Sequence, residues 1–335
     1  MRRQSQLLLF AALTFAATSS LYAGCGSSSC PLDLNHLNVP ATRHFSLDVS
    51  LQYIDQDQPR AGTNDVKVGT IEAHHDEVRT INRITTAALT WAASDRLHVT
   101  ATLPFVSRDH LHLASSHGHS RTIAAQHNTV PESWDIRGIG DLSLVARAEV
   151  LPRNPATHSG LWLIGGLSLP TGSDDVSNGE GEVGELPIQP GSGTTDGIGG
   201  LSWQGGVVRR SAVEGAMGDF AVIPYFLSAV YRYRTGSGDR LGNELQLSAG
   251  SAYPLTHSFE ALLQLNARVR ARDRMEDPDE AELSGGRSLY ASPGVRVSYR
   301  GSAFYAIAQV PLYQRVNAIQ LTSHVNYVLG VQTRF

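Results

Sequence analysis

The stretch RDHLHLASSHGHS, residues 108–120, carries His110, His112, His117 and His119 within a dozen positions. A second group, His74-His75-Asp76-Glu77, precedes it in the chain. Imidazole nitrogens beside carboxylates are the donor set of zinc, copper or nickel. The HLH and HGH spacings place both rings on one face only if the backbone is extended, because i and i+2 coincide on a strand and not on a helix. The alternative is a solvated polar loop whose charge follows pH. A third set of donors, Cys25 and Cys30 in GCGSSSC, admits three readings: a small-loop disulfide, a thiol pair for a soft metal or redox chemistry, or lipidation of Cys25. His98 and His324, with Ser298, are the candidates for nucleophilic catalysis. Nothing marks one serine as activated and no third, orienting group accompanies them, so a non-enzymatic role is expected.

Which of these groups can meet depends on the elements that carry them. Arg2 and Arg3 precede the apolar run LLLFAALTFAA (7–17), and the small residues that follow end at Ala23, which predicts a cleaved export signal over residues 1–23. Without it the chain has 27 less two basic residues against 31 acidic ones, a net charge of about −6, which gives nucleic acid no footing. No later segment has the roughly 18 apolar residues of a helical span, so a membrane role must use strands.

From residue 43 onward apolar and polar residues alternate in segments of about ten, the period of a two-faced strand. In RHFSLDVSLQY the apolar set is Phe45, Leu47, Val49, Leu51 and Tyr53; in HVNYVLGVQTRF it is Val325, Tyr327, Leu329, Val331 and Phe335. Ten similar segments lie between: 78–91, 96–107, 140–151, 160–171, 197–210, 220–233, 243–254, 259–272, 288–299 and 303–314. The segment VRTINRITTAALTW (78–91) changes phase midway, the mark of a bulge. Short turns at 92–95, 254–257 and 300–302 alternate with longer polar connections at 55–77, 108–138, 172–196, 235–242, 273–287 and 315–322. This asymmetry, with a final aromatic residue, predicts a closed antiparallel transmembrane β-barrel of about twelve strands over residues 43–335. A β-sandwich would also alternate, but its edges would stay open. Residues 24–42 form a separate cysteine-containing segment on the periplasmic side, and the long loops lie outside the cell.

On this reading the residues between the lipid-facing ones line a lumen. They include Asp48, Arg147, Glu149, Glu260, Arg268, Arg270 and Arg296, beside Gln264, Asn266 and Gln309. Mixed charge of this kind suits passage of a small polar, ionic or aromatic solute, or else a salt-bridge network that fills a narrow barrel. Two loops are acidic. Residues 172–196 carry Asp174, Asp175, Glu180, Glu182, Glu185 and Asp196 without a basic residue, and MEDPDEAE (275–282) is similar. Such loops hold hard divalent cations, contact lipopolysaccharide through them, or are simply solvated.

The stretches GIGDLSL (138–144), LPTG (169–172), PGSGTTD (190–196), LYASPG (289–294) and QVPLYQRVN (309–317), with terminal Phe335, resemble the outer-membrane β-barrels of the phenol-degradation meta-pathway transporter type. The resemblance spans the C-terminal two-thirds of the chain. It implies a barrel of about twelve strands that passes small molecules and supplies no catalytic motif. The cysteine pair and the His-rich stretch fall outside it. The functional alternative to a channel is therefore a barrel that binds or senses zinc or copper through His74, His75, His110, His112, His117, His119, Cys25 and Cys30.

Overall fold

A computed structural model describes residues 45–69, 76–115, 129–152, 154, 159–210, 220–276 and 281–335. The expected export signal (1–23), Cys25, Cys30, His74, His75, His117 and His119 lie outside the described residues.

Fourteen strands form one antiparallel sheet that closes on itself: β1 (Phe45–Ala61), β2 (Asn64–Asp65), β3 (Asp76–Ser94), β4 (Leu97–Ser115), β5 (Thr129–Ile139), β6 (Leu142–Leu151), β7 (Gly160–Leu169), β8 (Asp196–Arg210), β9 (Phe220–Arg234), β10 (Glu244–Pro254), β11 (Phe259–Arg270), β12 (Gly286–Tyr299), β13 (Ser302–Val316) and β14 (Ile319–Arg334). Closure is made by β1 against β14, from Ser46↔Arg334 to Ala61↔Ile319. No edge is left along this seam, as a lipid environment demands. Because β2 is a two-residue flap on β1 and β5 and β6 share one position in the wall, the barrel has twelve staves.

Alternation decides what faces out. On β11, Leu263 and Leu265 are 55% and 46% exposed, whereas the intervening Gln264 and Asn266 are 1% and 0% exposed. The same parity gives an outer apolar band that includes Leu51, Leu89, Leu103, Leu144, Leu167, Leu201, Leu227, Leu247, Val295 and Leu329. Aromatic residues collect where the chain's described ends meet: Phe45 stacks on Phe335 with centroids 6.1 Å apart, and Trp91 pairs with Phe45 across the sheet. This is the terminal end of the barrel; the opposite end carries the long connections.

Three expected loops are largely strand. Residues 55–61, 108–115, 129–138 and 315–316 all continue the wall at the loop end, and β13 turns into β14 through Asn317 and Ala318 alone. The alternation fades there because the outer face becomes charged. Arg79 pairs with Asp55 at 2.5 Å, Arg83 with Asp109 at 2.7 Å and Arg137 with Asp135 at 2.9 Å. Polar residues on both faces erase the period that marks a half-lipid strand.

The bulge expected midway in residues 78–91 is also displaced. Pairing of β3 with β4 is continuous from Arg79↔Leu111 to Ala92↔His98, with shifts only beyond those limits. The small, ambivalent run Thr85–Ala88 blurs the pattern without breaking the strand. The true break lies in the next stave. Phe105↔Ile139 and Thr102↔Ser143 are matched, so Leu103 and Pro104 oppose three residues, Gly140 to Leu142. Pro104 has no N–H to offer this ladder, and its carbonyl accepts from the Gly140 N–H at 2.8 Å. One extra residue reverses parity: Trp134 and Ile136 are buried on β5, whereas the odd-numbered Arg147 is buried on β6.

Candidate functional site

The break positions a loop. Residues 170–195, which join β7 to β8, fold into the barrel mouth, where Trp134 and Ile136 pack on Ile188 with Val176 beside them. Asp141, in the gap between β5 and β6, holds the loop's two ends: it accepts from the Ser192 N–H at 2.9 Å, the Ser192 hydroxyl at 2.6 Å and the Gly172 N–H at 3.1 Å. The Thr171 hydroxyl donates to the Gly140 carbonyl at 3.1 Å. Gly172 and Gly191 cross so closely that a Cβ on Gly191 would overlap the Gly172 backbone. Further in, Arg108 donates to the Pro187 carbonyl at 3.1 Å and to the Asn82 side chain, and the Trp134 indole donates to the Glu182 carbonyl at 3.2 Å. The short motifs GIGDLSL, LPTG and PGSGTTD therefore converge in space: they form the clasp of the inward loop.

Beneath the loop lies a cavity of about 450 Å³ within the barrel. One side is largely apolar: Leu186, Pro187 and Pro190 of the loop, with Ile84 of the wall. The other side is ionic and comes from β8 to β11, where Asp196↔Arg234, Glu244↔Arg232 and Gln246↔Arg268 are neighbours in register. Asp196, fully buried, pairs with Arg234. Glu244 pairs with Arg268 at 2.6 Å, and Arg270 pairs with Asp273 at 2.5 Å, the latter acid also accepting the Gly242 N–H. Sequence reasoning found Arg268 and Arg270 but missed Asp196 as a lumen residue and Arg232, Arg234, Glu244 and Asp273 altogether. The parity of β9 and β10 could have shown three of these, since Phe226, Ser228 and Arg234, or Ser248 and Ala252, are buried on one face.

The remaining lumen candidates form a second group near the terminal end. Glu260 receives Arg296 at 2.5 Å, and Arg147 lies over the Trp162 ring at 5.5 Å from its centroid. Glu149 is 3.7 Å from Arg96. Asp48 accepts from the Tyr305 hydroxyl at 2.9 Å, across Gly330, where a side chain would collide with the tyrosine ring. Between the two charged levels, Gln264, Asn266, Gln309 and Asn326 are buried and bonded to one another or to Ser248 and Ser292, beside an apolar cluster of Phe226, Ala252, Leu262, Tyr305, Ile307 and Val328. These residues pack on one another and lie outside the cavity lining.

His110 and His112 do not sit in an external loop. They project inward from β4, almost fully buried, because their extended spacing puts both on the inner face. Nδ1 of His110 is 2.8 Å from the Thr80 hydroxyl, Nε2 of His112 is 2.8 Å from Glu132, and both rings pack on Trp134. Among the described residues no three His, Cys, Asp or Glu side chains are grouped to hold a metal. Nor do the catalytic candidates meet: His98 packs on Trp162, His324 is exposed beside Asp57 towards the loop end, and Ser298 is exposed next to the terminal-end turn.

No protein-family model and no curated protein matches the sequence. Solved structures do. The COG4313 outer membrane channel from Pseudomonas putida F1 superposes with a TM-score of 0.60 at 14% identity, over 91% of this chain and 100% of that one. The transport unit of the autotransporter AIDA-I from Escherichia coli gives 0.49 at 9% identity, over 91% and 93%, and a Pseudomonas aeruginosa FadL homologue gives 0.41 at 9%, over 88% and 91%. At these identities the likeness is one of fold, and the first of the three carries it: this chain has the closed antiparallel barrel of outer-membrane proteins.

Proposed function

We propose that this protein is an outer-membrane channel of the phenol-degradation meta-pathway transporter type, through which a small polar, ionic or aromatic solute passes without chemistry. The long connections then face outward, towards lipopolysaccharide, and the termini, which an even number of staves puts on one side, face the periplasm. The observation that carries the reading is the cavity beneath the inward loop: the lumen is narrowed by a clasped segment and left open below it. The convergence of three family-like motifs on the clasp supports the family assignment, since short motifs spread over the chain gain a shared purpose. The metal reading has no comparable support among the described residues.

The test is conduction. Full-length protein reconstituted in planar bilayers and liposomes should pass salt current and admit small solutes. Absence of both single-channel steps and liposome swelling would overturn the channel reading.

A further inference from the structure

Four arginines and four carboxylates lie around the cavity, but they are not all joined as ion pairs. Arg232 and Arg234 stand on β9 and Arg268 and Arg270 on β11, either side of β10, and three carboxylates each hold one of them: Asp196 with Arg234, Glu244 with Arg268, Asp273 with Arg270. Arg232 is left without a contact ion pair among the described residues. It points inward in register with Ile198 and Glu244, lines the cavity, and among the described residues forms no hydrogen bond or ion pair. Glu244 feels its field but is committed to Arg268. The other carboxylate on the cavity, Asp141, is occupied by Ser192 and Gly172. The loop's acidic residues Asp174, Asp175, Glu180 and Glu182 lie on its exposed side, and its cavity side, Leu186 to Pro190, is uncharged. A half-buried guanidinium with no carboxylate on it favours a planar, bidentate anion over chloride.

Sharing the cavity with this cation are Leu186 and Pro187 of the loop, and Ile198 and Val230 flank it on the wall. The volume, about 450 Å³, lies in the range of small-molecule sites. We propose that the cavity is a recognition subsite for small organic carboxylates with an apolar body, the carboxylate bound by Arg232 and the body laid against the loop and β8–β9 wall. This rests on the channel reading and gives it a substrate class.

Benzoate and its neutral counterpart benzyl alcohol are the probes. Calorimetric titration of the full-length protein in detergent should show benzoate binding about tenfold or more tightly than benzyl alcohol, the size of one charge-assisted contact. Arg232→Gln should erase that ratio. Glu244→Gln, which frees Arg268 and removes a repelling carboxylate, should widen it, a change opposite in sign to general damage. Equal affinity for the two probes in the unmodified protein, or a ratio that survives Arg232→Gln, would overturn the subsite. Because binding is measured at equilibrium, it stands or falls independently of whether the protein conducts.

Discussion

The Asp141 carboxylate accepts both the backbone N–H and the hydroxyl of Ser192, at 2.9 and 2.6 Å, across 51 positions of sequence. One side chain in a broken stave thereby determines where a long loop lies. Removing it with Asp141→Ala deletes three charge-assisted bonds, and hydrogen bonds to charged groups contribute about 1.5–3 kcal/mol each. Protection of residues 172–195 against hydrogen exchange should fall sharply while protection of β10 to β14 is unchanged. Uniform loss across the barrel, or none in the loop, would show that the clasp does not hold it.

The crossing of Gly172 and Gly191 admits no side chain. Gly191→Val should therefore expel the loop as Asp141→Ala does, and a protease should cut within 172–195 in the variant faster than in the parent. Equal cleavage rates would contradict the tight crossing.

Asp196 and Arg234 are a buried pair, with side chains 0% and 10% exposed. Asp196→Asn strands the guanidinium, a change that costs about 3–5 kcal/mol in buried pairs. The unfolding midpoint in denaturant should drop, and the double change Asp196→Leu/Arg234→Met should recover most of the loss. If the double variant is as unstable as the single one, the pair is not the cause.

Leu265 marks the middle of the lipid-facing band on β11, between inward Gln264 and Asn266. Leu265→Arg should destabilise the barrel in phospholipid vesicles by about 2–4 kcal/mol, the cost of a charge at the bilayer midplane. An effect near zero would place this face outside the bilayer.

Much of this architecture was legible as period two. Ten-residue alternation located every stave within the lipid band, and the seven charged lumen candidates were read from the parity of their strands. What the alternation did not show is the wall above the band, where Arg79, Arg83, Asp109 and Arg137 face outward and polarity no longer distinguishes the faces. For that reason His110 and His112 looked like loop residues. The inward loop was invisible for a different reason: its acidic run resembles any solvated connection, and its direction depends on Asp141, Gly172 and Gly191 meeting across the fold. That Arg232 is left without a contact ion pair needs three pairings to be known first, and none follows from spacing.

The most direct test of a channel narrowed by a clasped loop is single-channel conductance of the full-length protein beside its Asp141→Ala variant, in the same planar bilayers and salt. The expected result is a small, steady current in the parent and a larger one in the variant. No current in either, or identical conductance in both, would contradict it.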